Sequence, residues 1–207
     1  MWFRRNPTNP TYRRKTVRDE TLVLGDPSLV TYLIKSTFER CEITITCPAR
    51  GLIIDRCVFR DCAIHAKKPQ RDHQFFTSTF ERCRFTGRFS GCEFGFRIDL
   101  YGKTKGTIRD CDLREAELDF VTFSNCDLAS LALPRWPHFM LVDPGTTAGH
   151  LPNPRNCPEL EALKAVASRH TPITKGSMRY APAFAKKSLY SLDELRELLS
   201  GVEGVLI

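Results

Sequence analysis

The chain has 207 residues, of which 42% are hydrophobic and 27% are charged, and its formal net charge is +7. This composition excludes wholesale disorder and suits one domain, or one domain with an appendage. No apolar run is long enough to span a bilayer, so no membrane partner is expected. The basic first residues lack the apolar stretch of a secretory signal, and the sequence therefore predicts a cytoplasmic protein.

Residues 1–30 are predicted to form a basic arm and a lead-in to the fold. Within residues 1–20, two acidic residues, Asp19 and Glu20, stand against the basic residues Arg4, Arg5, Arg13, Arg14, Lys15 and Arg18. Such a segment is typical of a solvated strand or tail, and binding of phosphate or of an acidic protein surface is the alternative.

An internal repeat dominates the middle of the chain. The letters STFERC occur at 36–41 and again at 78–83, and CVFRDC lies midway at 57–62. Each step is 21 residues, one more than four fives, which predicts coils with a one-residue bulge at a corner. Stacked coils would superpose Phe38, Phe59 and Phe80 in the interior, and likewise Ile43, Ile64 and Phe85.

The same register orders the exterior charges. Glu39, Arg60 and Glu81 alternate in sign along one predicted column, and Arg40, Asp61 and Arg82 alternate in the opposite sense along the next. Neighbouring strands are about 4.8 Å apart, so opposite charges are expected to pair across coils and to fix the register.

The stretch 106–133 has a regular period of five. Its third positions are all large and apolar: Ile108, Leu113, Leu118, Phe123, Leu128 and Leu133. Neither a helix, with a period of about 3.6, nor a flat strand, with a period of about 2, sustains this spacing. A chain that turns a corner every five residues does, because large and small side chains then point inward from each side.

This pattern resembles the pentapeptide-repeat family, whose motif runs small residue, Asp or Asn, Leu or Phe, and two free positions. The fives CDLRE, AELDF and CDLAS match it well, whereas VTFSN and LALPR match loosely. The resemblance implies a mainly β fold, a right-handed quadrilateral β-helix over residues 31–135. Residues 136–207 are predicted to form a loop and a small α-helical appendage.

The appendage is expected to cap the open end of the solenoid or to join two copies as a homodimer. Proline and acidic residues at 158–159 predict the start of one helix. Ser191 and Glu194 predict a capping box on the last helix, which carries an apolar stripe of Leu192, Leu195, Leu198 and Leu199.

The cysteines and histidines indicate no chemistry. Seven cysteines occupy small inward positions and are predicted to be buried and reduced: Cys41, Cys57, Cys62, Cys83, Cys92, Cys111 and Cys126. No zinc spacing, nucleophile elbow, phosphate loop or dinucleotide motif is present in the sequence, so we expect no enzyme, metal or cofactor. The histidines, His65, His73, His138, His150 and His170, are scattered.

The leading hypothesis for function is a non-enzymatic protein-binding scaffold, specifically a bacterial immunity protein that neutralises a cognate toxin. The resemblance also implies an alternative, since some members of the family protect DNA gyrase from inhibitors by mimicking duplex DNA. The positive net charge argues against direct mimicry. Nucleic-acid binding through the basic middle and the arm is a further alternative.

Two surfaces are predicted to bind the partner. The first consists of basic residues expected at corners and loops, with charges left free for a partner: Lys67, Lys68, Arg71, Arg88, Lys103 and Lys105. Its rival is acidic and consists of Asp112, Glu115, Glu117 and Asp119. The basic middle and the acidic regular stretch would together give the solenoid a split polarity.

Overall fold

Stacked coils of short parallel β-strands form the body of the molecule. A computed structural model describes residues 11–25, 29–96, 106–152, 158–186, 188 and 190–207. Each coil has four sides, here called faces 1 to 4 in chain order, and each strand pairs in parallel with its counterparts in neighbouring coils. This four-sided β-solenoid confirms the predicted fold class and, at the level of fold, the resemblance to the pentapeptide-repeat family.

The strands of the solenoid fall into columns, one for each face. Face 1 contains β1 (Thr11–Arg13), β4 (Thr31–Ile34), β7 (Leu52–Asp55), β12 (Glu93–Gly95) and β15 (Val121–Ser124). Face 2 contains β2 (Thr16–Arg18), β5 (Thr37–Glu39), β8 (Val58–Arg60), β10 (Thr79–Glu81) and β13 (Thr107–Arg109). Face 3 contains β3 (Thr21–Leu24), β6 (Glu42–Ile45), β9 (Ala63–Arg71), β11 (Arg84–Ser90) and β14 (Asp112–Asp119). The last three of these strands continue round a corner to form face 4, and short 3-10 helices occupy Ala49–Gly51 and Leu128–Ser130.

Left-handed backbone conformations make the corners. Asp19, Arg40 and Asp61, at the corner between faces 2 and 3, have φ angles of 56°, 53° and 53°. This region is uncommon for residues other than glycine. Here the corner N–H groups still donate to the next coil, with N···O distances of 2.9–3.0 Å from Asp19 to Glu39 and from Arg40 to Arg60. The hydrogen bonds between coils therefore continue through the corners.

The interior is a column of stacked phenylalanine rings. The Phe38 and Phe59 centroids are 5.0 Å apart and those of Phe59 and Phe80 4.9 Å, with the planes within 9° of parallel. Ile43, Ile64 and Phe85 are also superposed, as the repeat predicted. Full burial of such a side chain contributes roughly 1.5–3 kcal/mol, so this column is a main source of stability.

The cysteines that the sequence assigned to inward positions line the interior as free thiols. Six of the seven predicted positions are buried, and Cys126 is half-buried. Cys62 and Cys83 each direct Sγ towards a carbonyl of the preceding coil, at 3.4 Å from Phe38 O and 3.5 Å from Phe59 O. Burial raises the pKa of Cys57 to about 11 and that of Cys92 to about 12, so these thiols are protonated and unreactive at neutral pH.

The solenoid begins earlier than the sequence predicted. From Thr11 onward, the predicted basic arm forms the solenoid strands β1, β2 and β3, which pair with β4, β5 and β6. Val17 and Leu22 are buried beneath Phe38 and Ile43. These residues obey the same 21-residue step, so their apolar pattern was present in the sequence but was hidden by the surrounding arginines.

The C-terminal region contains strands as well as helices, which corrects the prediction that residues 136–207 form a loop and an α-helical appendage. It contributes strands β16 (His138–Val142), β17 (Thr174–Tyr180) and β18 (Val205–Leu206). Strand β17 pairs antiparallel with β15 and extends face 1 into a sheet of order β12-β15-β17-β16-β18. The appendage therefore joins the solenoid by backbone hydrogen bonds along an edge that would otherwise be open.

Four helices pack against these strands. They are α1 (Pro144–Thr147), α2 (Pro158–Ala167), α3 (Ala181–Ala185) and α4 (Leu192–Leu199). The predicted capping box of Ser191 and Glu194 is present on α4, where Leu195 and Leu199 are fully buried. They join a second hydrophobic cluster with Phe139 and Leu141. No helix among the described residues has the length and apolar content needed to cross a bilayer.

Ending the chain after Leu133 should remove the strands that cover β15. The exposed edge would then present unpaired N–H and C=O groups to other chains, so we expect aggregated or poorly soluble protein. Size-exclusion chromatography with light scattering measures this directly. A soluble monomer with an unchanged unfolding midpoint would contradict the role of the C-terminal strands. An intact fold at half the native mass would assign them to a homodimer instead.

Candidate protein-binding surface

Charge pairs across coils cover face 2, as the sequence predicted. Glu39 pairs with Arg18 at 2.6 Å and with Arg60 at 3.5 Å, and Glu81 pairs with both Arg60 and Arg109 at 2.9 Å. The predicted column of three residues is therefore extended at both ends by an arginine. We call these five residues the face 2 ladder.

Glu81 is the most enclosed member of the ladder, with 11% of its side chain exposed. Burial by itself would raise the pKa of Glu81. Hydrogen bonds from Arg60 and Arg109 outweigh that effect, and its pKa is lowered overall. The carboxylate is therefore held ionised between two guanidinium groups.

The charged residues at the corner between faces 2 and 3 form two separate ion pairs. Arg40 binds Asp19 through two hydrogen bonds of 2.6 and 2.8 Å, and Arg82 binds Asp61 through two of 2.7 and 2.9 Å. The sign alternation is confirmed, but Arg40 pairs with the preceding coil and not with Asp61. The four residues of the corner column are neutral on balance. The face 2 ladder has three arginines and two glutamates, but every one of these charges has a partner, so neither column strongly attracts a charged ligand.

Glu81→Gln tests the ladder. Two arginines would lose a charged acceptor in a partly buried place, so we expect a loss of about 1–2 kcal/mol in the free energy of unfolding. Glu115→Gln is the matched control, because Glu115 forms a single exposed pair with Arg84 and should cost less than about 0.5 kcal/mol. Urea denaturation of both variants makes the comparison. Equal losses would contradict a special contribution from the ladder.

The predicted split polarity is wrong, because the basic and acidic residues neutralise each other across coils. Arg84 on β11 pairs with Glu115 on β14, and Arg88 pairs with Glu117 at 2.7 Å. The sequence had placed Arg88 among the charges left free for a partner, and this is corrected by its ion pair. The two segments are adjacent in space, and the sequence separated them only along the chain.

The rival acidic surface is neutralised in the same way. Besides the pairs of Glu115 and Glu117, Asp112 accepts two hydrogen bonds from the Arg114 side chain, at 2.9 and 2.8 Å. Asp119 is partly buried, accepts the Tyr180 N–H at 3.3 Å and has its pKa raised by burial. None of these four carboxylates is both exposed and unpaired, so a row of free negative charge is not available here.

The remaining described members of the basic set lie on β9. Lys67, Lys68 and Arg71 are exposed, and none forms an ion pair within the described ranges. They lie on a strand that turns the corner, not in the loop that the sequence predicted. Lys103 and Lys105 lie outside the described residues.

Lys67 and Lys68 lie in a bulge of β9, where the regular pairing with β11 is interrupted. Ala66 pairs with Gly87 and Gln70 with Phe89, so residues 67–69 of β9 oppose the single residue Arg88 of β11. This bulge lies at the corner between faces 3 and 4 and holds two extra residues, so it differs from the one-residue bulge that the 21-residue step predicted for each coil. We call residues 67–69 together with Arg71 the cationic bulge.

Gln70 pins the base of the bulge. Its side chain is fully buried, and Nε2 donates to Cys47 O at 2.9 Å and to Lys68 O at 3.0 Å. A buried amide that bonds the bulge backbone fixes where the lysines emerge. Sequence reasoning missed this role, although a lone glutamine at an inward position was the available signal.

The histidines are occupied by structural contacts. His138 Nε2 accepts the Leu118 N–H at 3.1 Å, and His65 Nδ1 lies 2.8 Å from the Thr86 hydroxyl. His73 is buried and stacks on Phe75 with ring centroids 4.3 Å apart. In the part of the chain that is described, no three His, Cys, Asp or Glu residues are grouped to hold a metal ion.

Stability should depend on the titration of His73. Burial lowers its pKa from 6.5 to about 4, so between these values the unfolded chain binds more protons than the folded chain. The free energy of unfolding should be greatest above pH 6.5 and fall by up to about 3 kcal/mol as the pH approaches 4.

The control is His73→Phe, which keeps an aromatic ring on Phe75 and cannot titrate. Thermal unfolding at several pH values should show a flatter profile for this variant. A smaller slope would remain from His138, whose pKa burial also lowers. If stability depends on pH identically in both proteins, His73 is not the cause of that dependence.

Arg179 and Phe120 join the C-terminal strands to the solenoid. Arg179 is 2% exposed, and its guanidinium carbon lies 3.9 Å from the centre of the Phe120 ring. Burial lowers the pKa of Arg179 to about 10, and the nearby Asp119 opposes this. Phe120 has a φ of 53°, unusual for a large residue, so this cation–π contact helps to hold a strained corner.

Similarity between this chain and known proteins is low. No family model and no curated protein matches the chain. Solved structures of QnrB1, described as a plasmid-mediated fluoroquinolone resistance protein, match part of this chain at low identity. The full-length structure is 14% identical, with a TM-score of 0.21, and the match covers 59% of this chain and 81% of that one. A trypsin-treated variant is 15% identical, with a TM-score of 0.24 and coverages of 61% and 76%.

Proposed function

We propose that this chain is a non-enzymatic scaffold that binds an acidic surface of a protein partner through the cationic bulge. The observation that carries the proposal is the contrast between Lys67 and Lys68, exposed and unpaired, and the neutralised columns beside them. A charge that is not used by the fold is available to a partner.

The scaffold supports the bulge rigidly. Strand β9 is hydrogen-bonded on both sides, to β6 and to β11, and Gln70 anchors the bulge from the interior. A surface that is already ordered loses little conformational entropy on binding, so more of the contact energy appears as affinity. Exposed lysines at the rim chiefly speed association and set its salt dependence.

Two specific functions are compatible with this proposal. The first is protection of a topoisomerase such as DNA gyrase from inhibitors. Duplex mimicry is a poor mechanism for it here, because the carboxylates of Asp112, Glu115 and Glu117 are paired with arginines. A contact between the cationic bulge and an acidic patch of the enzyme fits better. The second is immunity against a toxin, which the sequence favoured but which receives no support from the comparisons.

An assay with two arms separates these functions. In the first arm, purified DNA gyrase supercoils plasmid in the presence of a fluoroquinolone, with and without the protein. In the second arm, the protein is co-expressed with any toxin encoded beside its gene. Recovery of supercoiling supports protection, and rescue of growth supports immunity. Failure of both arms would remove both finer functions.

Charge reversal tests the bulge in whichever arm responds. Lys68→Glu should slow association with the partner about tenfold, because it reverses an exposed charge at the contact. Lys186→Glu is the matched control, since it makes the same change at an exposed position on the C-terminal region. Surface plasmon resonance measures both rates. Equal slowing by the two variants would show a net-charge effect and would contradict the assigned surface.

A further inference from the structure

A second basic feature lies diagonally across the solenoid from the cationic bulge. Arg14, Lys35 and Arg56 occupy equivalent positions in successive coils at the corner between faces 1 and 2, with φ angles of 52°, 49° and 51°. Backbone hydrogen bonds hold this register, with 2.9 Å from Arg14 N to Ile34 O and from Lys35 N to Asp55 O. All three side chains are exposed. We call these three residues the basic corner.

The next corner of the same coils provides an internal comparison. There the equivalent positions alternate in sign and pair, through Asp19 with Arg40 and Asp61 with Arg82. The backbone conformation is the same at both corners. Like charges in adjacent strands destabilise a sheet, whereas opposite charges stabilise it. The fold therefore gains nothing from a column of three cations, and their arrangement points to a ligand.

Little compensating charge lies near the basic corner. Arg14 and Lys35 form no ion pair within the described ranges, and Arg56 binds Asp55 at 2.7 Å. Asp55 is the only acidic residue in the register positions flanking the corner. Arg13 and Lys15, on either side of Arg14, are also exposed. The result is a ridge of positive charge running parallel to the solenoid axis.

We propose that the basic corner binds the phosphate backbone of a nucleic acid. Its unpaired cations, Arg14 and Lys35, lie in adjacent coils at the coil spacing of about 4.8 Å, and the exposed Arg13 and Lys15 beside Arg14 make the positive charge continuous there. The ligand must carry negative charge that is equally continuous, and duplex DNA has one phosphate per about 1.7 Å of its axis. A convex ridge also fits a groove between two backbones. Carboxylates on a folded protein are usually dispersed among cations, which makes an acidic protein the weaker match.

Fluorescence anisotropy with a labelled 20-base-pair DNA duplex tests the proposal over a range of salt concentrations. Lys35→Gln should reduce the slope of log affinity against log salt by about 0.9, the value for one lost phosphate contact. Lys35→Glu should weaken binding about tenfold, because it places a negative charge within the ridge. The same strand in single-stranded form distinguishes the source of the phosphates, and sensitivity to Lys35→Glu with either form supports the proposal.

The unfolding midpoint of Lys35→Glu distinguishes a role of Lys35 in binding DNA from a role in stabilising the fold. Lys35→Glu converts the column to the alternating pattern of the neighbouring corner, so its unfolding midpoint should stay the same or rise while DNA binding falls. Lys68→Glu is the matched control, with the same change in net charge at the opposite corner, and should weaken DNA binding by less than about twofold. Equal weakening by both variants, or a fall in stability with Lys35→Glu, would overturn the assignment.

The choice of ligand is tested in the same assay. Polyglutamate of matched length and charge replaces DNA as the labelled probe. Binding of polyglutamate that is sensitive to Lys35→Glu, with no binding of DNA, would overturn the proposal and assign the ridge to an acidic polypeptide. The proposed protein partner of the cationic bulge is independent of this result, because the two sites share no residue.

Discussion

Parallel hydrogen bonding between coils, continued through the corners, is the constraint on which the rest of this structure depends. Arg40 and Asp61 adopt left-handed conformations that cost free energy, yet each N–H donates to the next coil. The corner conformation therefore preserves the register instead of breaking it. Outside the bulges, each strand residue then lies directly above its counterpart in the preceding coil, and that alignment decides both the interior and the exterior.

In the interior, alignment turns a sequence repeat into a packed column. Phe38, Phe59 and Phe80 stack because the 21-residue step places the three rings one above another. On the exterior, the same alignment gives each charge a neighbour of known sign. Where the signs alternate, as in the face 2 ladder, each charge is paired. Where they do not, as at the basic corner, or where a bulge interrupts the pairing, charge is left for a partner.

The C-terminal strands address the weakness of any solenoid, which is its open edge. Strand β17 runs antiparallel to β15 and brings its own sheet neighbours, β16 and β18. Its backbone bonds replace those that a further coil would have made. Buried contacts such as Arg179 with Phe120 then hold the two parts together. The edge of the solenoid is thus covered by strand pairing, and the helices pack against the added strands.

The sequence alone determined the features that depend on spacing. The five-residue period, the 21-residue step, the inward cysteines, the face 2 ladder and the capping box at Ser191 could all be predicted, because each is a relation between residues at known separations. Only the tertiary structure decided which distant segments meet. The pairing of Arg88 with Glu117 and the pairing of β17 with β15 join residues whose separation follows no repeat. The clamp of Gln70 on the bulge likewise depends on which carbonyls lie within reach in the folded interior. Which surface charges remain unpaired is therefore decided by the fold, because the fold determines which charged side chains lie next to one another.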